Sequence, residues 1–338
     1  MNYRLDTPAK LGIDYETLAL LNPRLVYVRN TAYGPRGPLA RRPGYDNVVQ
    51  AASGIMASWG PARDGRPHYM PLTIADTVAA AIIAWAVTTG LYAREQIGRG
   101  QLIDTSLLAT AFFLQPSRFL MVDEVDTEHV TAIKEGLEAA RPQAHDFPDL
   151  VRQVELLRNA GGAGFDGAGS FYNRTYRCKG GGYICTGATN HALRRKFQQA
   201  LGIEDPRWEP GFEFAADAAR RHEIEEQLER ACEQRFAEKT VGEWIDVMTS
   251  YGVPAAPVVF PEELIGDEQV AANNLLVEVE HQTLGSLTMV GSPLQLSETP
   301  VHSHRAAPTV GADNDEILES LGYSRAAIDD LRADRVIK

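Results

Sequence analysis

Residues 71–101 read PLTIADTVAAAIIAWAVTTGLYAREQIGRGQ. A short apolar run meets an acid, Asp76, and about five turns of amphipathic or buried helix follow. The helix is expected to close on Glu95, with Gly98-Arg99-Gly100 as the breaker behind it. Asp76 is expected at the N-cap, where a carboxylate accepts otherwise orphaned backbone N–H groups and meets the positive end of the helix dipole. Those donors would keep it ionised at neutral pH, as a carboxylate nucleophile requires. Taken alone, an acid before an Ala-rich helix is far more often a cap than a nucleophile. Its neighbours decide.

Upstream, Tyr15 to Leu21 suggests a short helix broken by Asn22-Pro23. Leu25-Val26-Tyr27-Val28 is a β-branched and aromatic run, a buried-strand candidate. No strand precedes it, and one parallel strand cannot bury both its faces alone, so the chain reads as beginning partway through an α/β unit. A Gly/Pro/Arg-rich loop, Tyr33 to Gly44, carries Arg36, Arg41 and Arg42. Such a loop is either a solvated surface or a cradle for phosphate or carboxylate. Tyr45-Asp46-Asn47 then leads into an Ala-rich helix, Val48 to Met56, and Trp59 to Tyr69 is a second Gly/Pro-rich loop.

Downstream, Gln101 to Ser106 gives a short strand and a fresh cap for an apolar helix, Leu107 to Leu120. Its Phe112, Phe113 and Phe119 read as core. Residues 121–160 are charged and helix-like, a solvated connector. Gly161 to Gly164 and Gly167 to Ser170 follow; with no strand leading in and no helix leading out, they are a loop or hinge rather than a dinucleotide fingerprint. From there YRCKGGGYICT (176–186) reads as a hairpin turning at Gly180-Gly181-Gly182. Helices are expected over 190–201 and 215–237, and a capping box at Thr240 and Glu243 opens another. Extended Val253 to Phe260, a short helix over 266–274, two alternating strands (276–280 and 285–291) and two terminal helices (314–321 and 324–333) complete the chain.

Composition bounds the function. The 338 residues are 44% hydrophobic and 23% charged, ordinary for a globular chain of two domains. A net charge of −12 argues against nucleic acid or an anionic membrane as the main partner, though not against an anion in a local basic pocket. No uninterrupted apolar run is expected to approach the ~20 residues of a spanning helix, and MNYRLDTPAKLG has no signal-peptide core. Cys178, Cys185 and Cys232 form no CxxC pair, and the eight histidines are scattered, so neither a disulfide framework nor a metal site is implied. A cytoplasmic setting is the default.

Several long segments, in order, resemble the family III CoA-transferases, the group of formyl-CoA transferase, carnitine CoA-transferase and α-methylacyl-CoA racemase. They are NPRLVYVRNTAYGPRGPLARRPGYDNVVQAASGIM (22–56), the helix at IAD (74–76), REQIGRGQLIDTSLL (94–108), GVPAAPV (252–258), VEHQTLGSLTMVGSPLQLSETP (279–300) and DEILESLGYSRAAIDDLRADRVI (315–337). The resemblance implies an α/β fold: an incomplete Rossmann-like large domain plus a smaller α+β domain. It divides the chain at 1–130 (partial large CoA-binding domain with the nucleophile), 131–170 (linker and Gly-rich loop), 171–262 (small α+β domain) and 263–338 (return to the large domain).

The resemblance also assigns roles. Asp76 matches the aspartate nucleophile, forming an aspartyl anhydride and then an aspartyl-CoA thioester. Asn2, Tyr3 and Arg4 match a stretch beside the CoA adenine and phosphates, Lys10 matches a basic position used similarly, and Tyr45 lies near the pantetheine arm. The family's racemases carry histidine at that last position; tyrosine, with an ordinary pKa of about 10, is a poor two-way proton shuttle at neutral pH, which favours transferase. Either Gly-rich stretch could be the loop that closes over the anhydride. Acyl-CoA and a carboxylic acid are the implied substrates, with coenzyme A as carrier and no metal, flavin or nicotinamide. The family's members are interlocked dimers and their usual N-terminal segment is not seen here, so the resemblance implies a homodimer, or a heteromer with a chain supplying that segment. Two other readings stand beside this one: an acyl-CoA racemase or isomerase with Asp76 as base, and a non-catalytic partner of a full-length homologue.

Overall fold

The computed structural model describes residues 1–160, 171–208, 218–301 and 306–338. Both Gly-rich stretches considered above, 161–164 and 167–170, lie outside the described residues. The chain forms a mixed α/β structure of two compact units, Met1–Phe165 and Asp166–Lys338.

The first unit is built on a pair of parallel strands. Short helices α1 (Thr7–Lys10) and α2 (Tyr15–Leu21) precede β1 (Val26–Thr31). Then come α3 (Asp46–Ser53), α4 (Ile55–Trp59), a two-residue-per-strand ribbon of β2 (Ala62–Arg63) and β3 (Arg66–Pro67), α5 (Ile74–Ile97) and β4 (Gln101–Ser106). β1 and β4 pair in parallel from Val26 opposite Gln101 to Thr31 opposite Ser106. The other edge of β1 is met by the first residue: the Met1 amino group donates to the Val28 carbonyl at 2.8 Å and Asn30 N–H donates to the Met1 carbonyl at 2.8 Å. That is the bonding pattern of one more parallel rung.

Helix α5 packs on both strands. Its Gly90 allows the approach, since a Cβ there would stand 2.6 Å from Val26 Cγ1 and 2.9 Å from Ile103 Cδ1. Helices α3 and α6 (Leu107–Phe113) pack with α5 around Val49, Ile55, Ala79, Leu107 and Ala111. A helical hairpin, α8 (Asp123–Ala140) against α9 (Phe147–Ala160), follows the short α7 (Pro116–Phe119).

Four expectations change here. Asp76 is not the N-cap of α5. Thr73 holds that position without a side-chain cap bond, and Asp76 is the third helical residue. The apolar run is longer than expected, because no charged residue stands between Asp76 and Arg94, and α5 is long and apolar enough to cross a bilayer by length and composition alone. The helices expected over 48–56 and 107–120 are each broken in two. Gly54, at φ +90°, divides α3 from α4, and Pro116 starts α7 afresh after Gln115. Finally, Phe112, Phe113 and Phe119 are 45%, 62% and 47% exposed, so they are not core in this unit; Phe112 and Phe119 stack on each other instead, with centroids 4.3 Å apart.

The second unit holds the larger apolar core. β5 (Thr175–Arg177) and β6 (Tyr183–Thr186) form the expected hairpin, extended by β7 (Ala255–Pro257) into a three-stranded antiparallel sheet. Helices α10 (His191–Leu201), α11 (Ala218–Phe236) and α12 (Val241–Tyr251) build a core with the sheet from Phe171, Tyr176, Phe197, Phe236, Trp244 and Met248. Thr240 and Glu243 make the expected capping box. After α13 (Glu268–Ala272), β8 (Leu276–His281) pairs with β9 (Gly285–Val290), and α14 (Asn314–Ser320) packs with α15 (Arg325–Ala333).

Candidate functional site

In open α/β sheets ligands collect beyond the carboxyl ends of parallel strands, where the following loops splay apart. β1 ends at Thr31 and β4 at Ser106, so Asn30 to Ala32 and Leu107 mark that end of the sheet. A cavity of about 380 Å³ lies there, within the size range of small-molecule sites. The N-terminal segment supplies Asn2, Tyr3 and Arg4 to its wall, the arginine-rich loop supplies Arg42 and Tyr45, and α5 supplies Asp76. Pairing of Met1 with β1 explains how residues so early in the chain arrive there. Gly44 also lines the wall, and any Cβ at this position would stand 2.7 Å from the Ala32 Cβ.

Five of the six residues singled out from sequence therefore share one cavity. Lys10 is the exception: it is not among the lining residues, and its ammonium pairs with Asp6 at 2.9 Å, one helical turn away. Arg42 joins Arg4 as a cation on the wall, so one arginine of the loop reaches the cavity while Arg36 and Arg41 do not line it.

The electrostatics of Asp76 are also different from those expected of a cap. The acid that serves the start of α5 is Asp46, the first residue of α3. Its Oδ2 accepts the N–H groups of Ala75 at 2.8 Å and Asp76 at 3.0 Å. Its Oδ1 accepts from the Gln50 side-chain amide, and the Gln50 Oε1 in turn accepts the Met70 N–H at 2.9 Å. Both Asp46 and Gln50 are buried. Local desolvation, followed by the nearby Asp46 charge, pushes the Asp76 carboxyl above the usual aspartate range. The expectation that capping donors hold Asp76 low is corrected: those donors go to Asp46.

Two functional candidates were not read from sequence. Asp46 sits inside a motif already noted, but its reach to a helix start 29 and 30 residues on is non-local. Gln50 was passed over; its signal is a carboxamide one helical turn after Asp46, at a position buried in α3.

Residues 1–314 match the model of CoA-transferase family III. A formyl-CoA:oxalate CoA-transferase of Rhodopseudomonas palustris (strain BisA53) is 28% identical over 321 residues, covering 93% of this chain and 71% of that protein. The protein of the same name from Afipia carboxidovorans is 28% identical over 330 residues, covering 96% and 73%. Among solved structures, Rv3272 of Mycobacterium tuberculosis superposes with a TM-score of 0.66 at 23% identity over 93% of this chain and 74% of that one. A CAIB/BAIF family protein from Brucella suis gives 0.61 at 22% identity, over 95% and 74%. A family match spanning nearly the whole sequence, together with a shared fold, makes this chain a member of CoA-transferase family III.

Proposed function

We propose that the chain transfers coenzyme A between carboxylic acids, with Asp76 as the nucleophile. The observation that carries this reading is the position of Asp76 on the wall of a cavity that also presents Arg4 and Arg42, cations suited to the phosphates of an acyl-CoA.

In the proposed cycle an Asp76 oxygen attacks the thioester carbonyl and expels the CoA thiolate, leaving an aspartyl mixed anhydride. The thiolate attacks the aspartyl carbonyl of that anhydride. The first carboxylate departs, and an aspartyl-CoA thioester remains. An acceptor carboxylate then attacks the thioester to give a second anhydride and free thiolate, which takes the acceptor's acyl group and restores Asp76. One exchange between poor reactants is thereby split into steps that each conserve the activated acyl bond. The elevated proton affinity of Asp76 suits this role, because a more basic carboxylate is the better nucleophile while it is ionised. Asn2, Tyr3, Arg4 and Tyr45 are proposed to hold the CoA moiety.

The cavity favours transfer over racemisation. No histidine is among its described lining residues, and the second acid nearby, Asp46, is buried with both oxygens engaged by backbone and amide donors. Among the described lining residues, none is a good second base for a two-base proton shuttle. Formyl-CoA and oxalate are the first substrate pair to test, on the strength of the relatives' names. The active form is proposed to be a homodimer or a complex with a second chain; the exposed Trp85, Tyr92 and Phe113 of the first unit support burial by such a partner.

The test is peptide mass spectrometry after incubation with a panel of acyl-CoAs and quenching with hydroxylamine or borohydride. A hydroxamate or a reduced residue at Asp76, absent from Asp76→Ala, supports the cycle. Retained CoA binding with no label on Asp76 would instead favour the non-catalytic partner.

A further inference from the structure

The start of α5 has no cap of its own. Thr73 holds the N-cap position without a side-chain bond, and the N–H groups of Ala75 and Asp76 are served from α3 by Asp46. Among the described residues the Asp76 carboxylate accepts no hydrogen bond, so its place in the cavity is set through its main chain.

What holds Asp46 in turn is Gln50, one helical turn along α3 and fully buried. The Gln50 Nε2 donates to the Asp46 Oδ1 and, at 3.4 Å, to the Met70 carbonyl. Its Oε1 accepts the Met70 N–H at 2.9 Å. Two neighbouring side chains of one helix therefore grip residues 70–76 at both ends, Gln50 at Met70 and Asp46 at Ala75 and Asp76. Position 50 must donate to a carboxylate and accept from a backbone N–H, and a carboxamide of this length does both. With the amide turned over, its oxygen would face the Asp46 carboxylate and its NH₂ the Met70 N–H. A glutamate would set carboxylate against carboxylate until one took a proton. A methionine would fill the space and leave the Met70 N–H and the Asp46 Oδ1 without their present partner.

We propose that Gln50 is a positioning residue for the transfer reaction. By fixing Asp46 and Met70 together it sets the first turn of α5, and with it the direction from which Asp76 meets the thioester. It acts through Asp46 and not on the substrate, since neither Gln50 nor Met70 is among the lining residues of the cavity. The proposal deepens, and rests on, the reading of Asp76 as the nucleophile. Misplacing a reacting group by about 1 Å costs on the order of 10²-fold in rate. The residues proposed to hold CoA, Asn2, Tyr3 and Arg4, come from another part of the chain and should keep their grip.

The experiment compares wild type, Gln50→Met and Gln50→Glu by the single-turnover rate of hydroxylamine-trapped labelling at Asp76. The probes are saturating acyl-CoAs, formyl-CoA first, with calorimetric titration of free CoA and circular-dichroism melts alongside. Folded Gln50→Met should label roughly 10- to 100-fold more slowly, while free CoA binds as tightly as to wild type. Labelling at the wild-type rate would overturn the proposal and leave Gln50 a packing residue. Loss of CoA binding in step with labelling would overturn it as well, because Gln50 would then support the whole wall. Gln50→Glu keeps the test decisive should methionine not fold. Asp46 is the ionisable side chain bonded to position 50, with Asp76 beyond it, and a protonated glutamate can again donate to Asp46 and accept from Met70. The labelling rate of this variant relative to wild type should therefore rise as pH falls from about 8 to about 6, and a constant ratio would overturn the proposal. Failure of wild type to label with any acyl-CoA would instead overturn the nucleophile reading, and the role of Gln50 with it.

Discussion

One oxygen of Asp46 accepts the backbone N–H of Asp76 at 3.0 Å and that of Ala75 at 2.8 Å, so the acid that fixes the start of α5 also places its charge beside the proposed nucleophile. Two consequences separate on mutation. In Asp46→Asn the amide can present an oxygen either to those two N–H groups or to Gln50, and the other face meets donor with donor. A buried polar mismatch of that kind costs about 1–3 kcal/mol, measurable as a lowered denaturation midpoint. The same substitution removes a negative charge from the neighbourhood of Asp76, whose carboxyl should then titrate at lower pH, as followed by carbon NMR of labelled aspartate. An Asp76 titration that does not move would show desolvation alone to be responsible.

Asp76 itself gives a pH signature. Desolvation and the Asp46 charge raise its proton affinity in the folded chain, so its ionised form is a cost to folding. That cost is fully present above the folded-state pKa and is relieved as pH falls through that value toward the ordinary one near 3.8. Asp76→Asn should therefore melt above wild type at neutral pH, with the difference shrinking on acidification and gone below the unfolded pKa. Thermal melts across that range check the sign, and the same protein should show no acyl transfer.

Legibility followed the range of the interactions involved. The Thr240–Glu243 box, the turn at Gly180 to Gly182 and the strand–helix order around β4 depend on residues a few positions apart, and the structure places them as expected. Asp76 was recognisable as an acid opening a helix, but not as the third residue of one, because its neighbour's N–H finds Asp46 on another helix. Pattern could not show that either. Phe112 and Phe119 depart from the expected core for a related reason: aromatic residues mark burial only when an apolar surface lies opposite, and Pro116 turns this segment back on itself. Gln50 was the quietest signal, since a single amide in a short helix is noticed only once its side chain is seen to join Asp46 to Met70.

Gly90 tests the packing that brings α5 onto the strands. In an exposed helix, glycine to alanine would stabilise by about 1 kcal/mol through propensity. Here the new methyl would meet Val26 Cγ1 at 2.6 Å and Ile103 Cδ1 at 2.9 Å, and the branched valine has little freedom to retreat. Gly90→Ala should be destabilising by about 1–3 kcal/mol, read from chemical denaturation. A stabilised variant would mean that the helix rides higher on the sheet.

The second unit offers a test independent of the cavity. The Asp205 side chain is fully buried and Arg207 is 11% exposed. The guanidinium meets Asp205 at 2.8 Å and Glu225 at 2.7 Å, and Tyr172 donates its hydroxyl to Asp205 at 2.9 Å. Burial would raise the Asp205 carboxyl, but the hydrogen bonds and charge of Arg207, with the Tyr172 bond, outweigh it and hold the carboxyl below the usual aspartate range. A lowered folded-state value contributes stability above the unfolded pKa that is lost as pH falls through the folded one. Arg207→Ala leaves the carboxylate buried without its cation, a loss of about 3–5 kcal/mol at neutral pH. With the cation gone, burial should raise the Asp205 pKa above its unfolded value and reverse the slope. The variant should then recover part of its deficit on mild acidification, over a range where wild type gains nothing. Equilibrium unfolding of both proteins between pH 7 and about pH 5 decides it, and parallel curves would show that Asp205 finds other partners when Arg207 is removed.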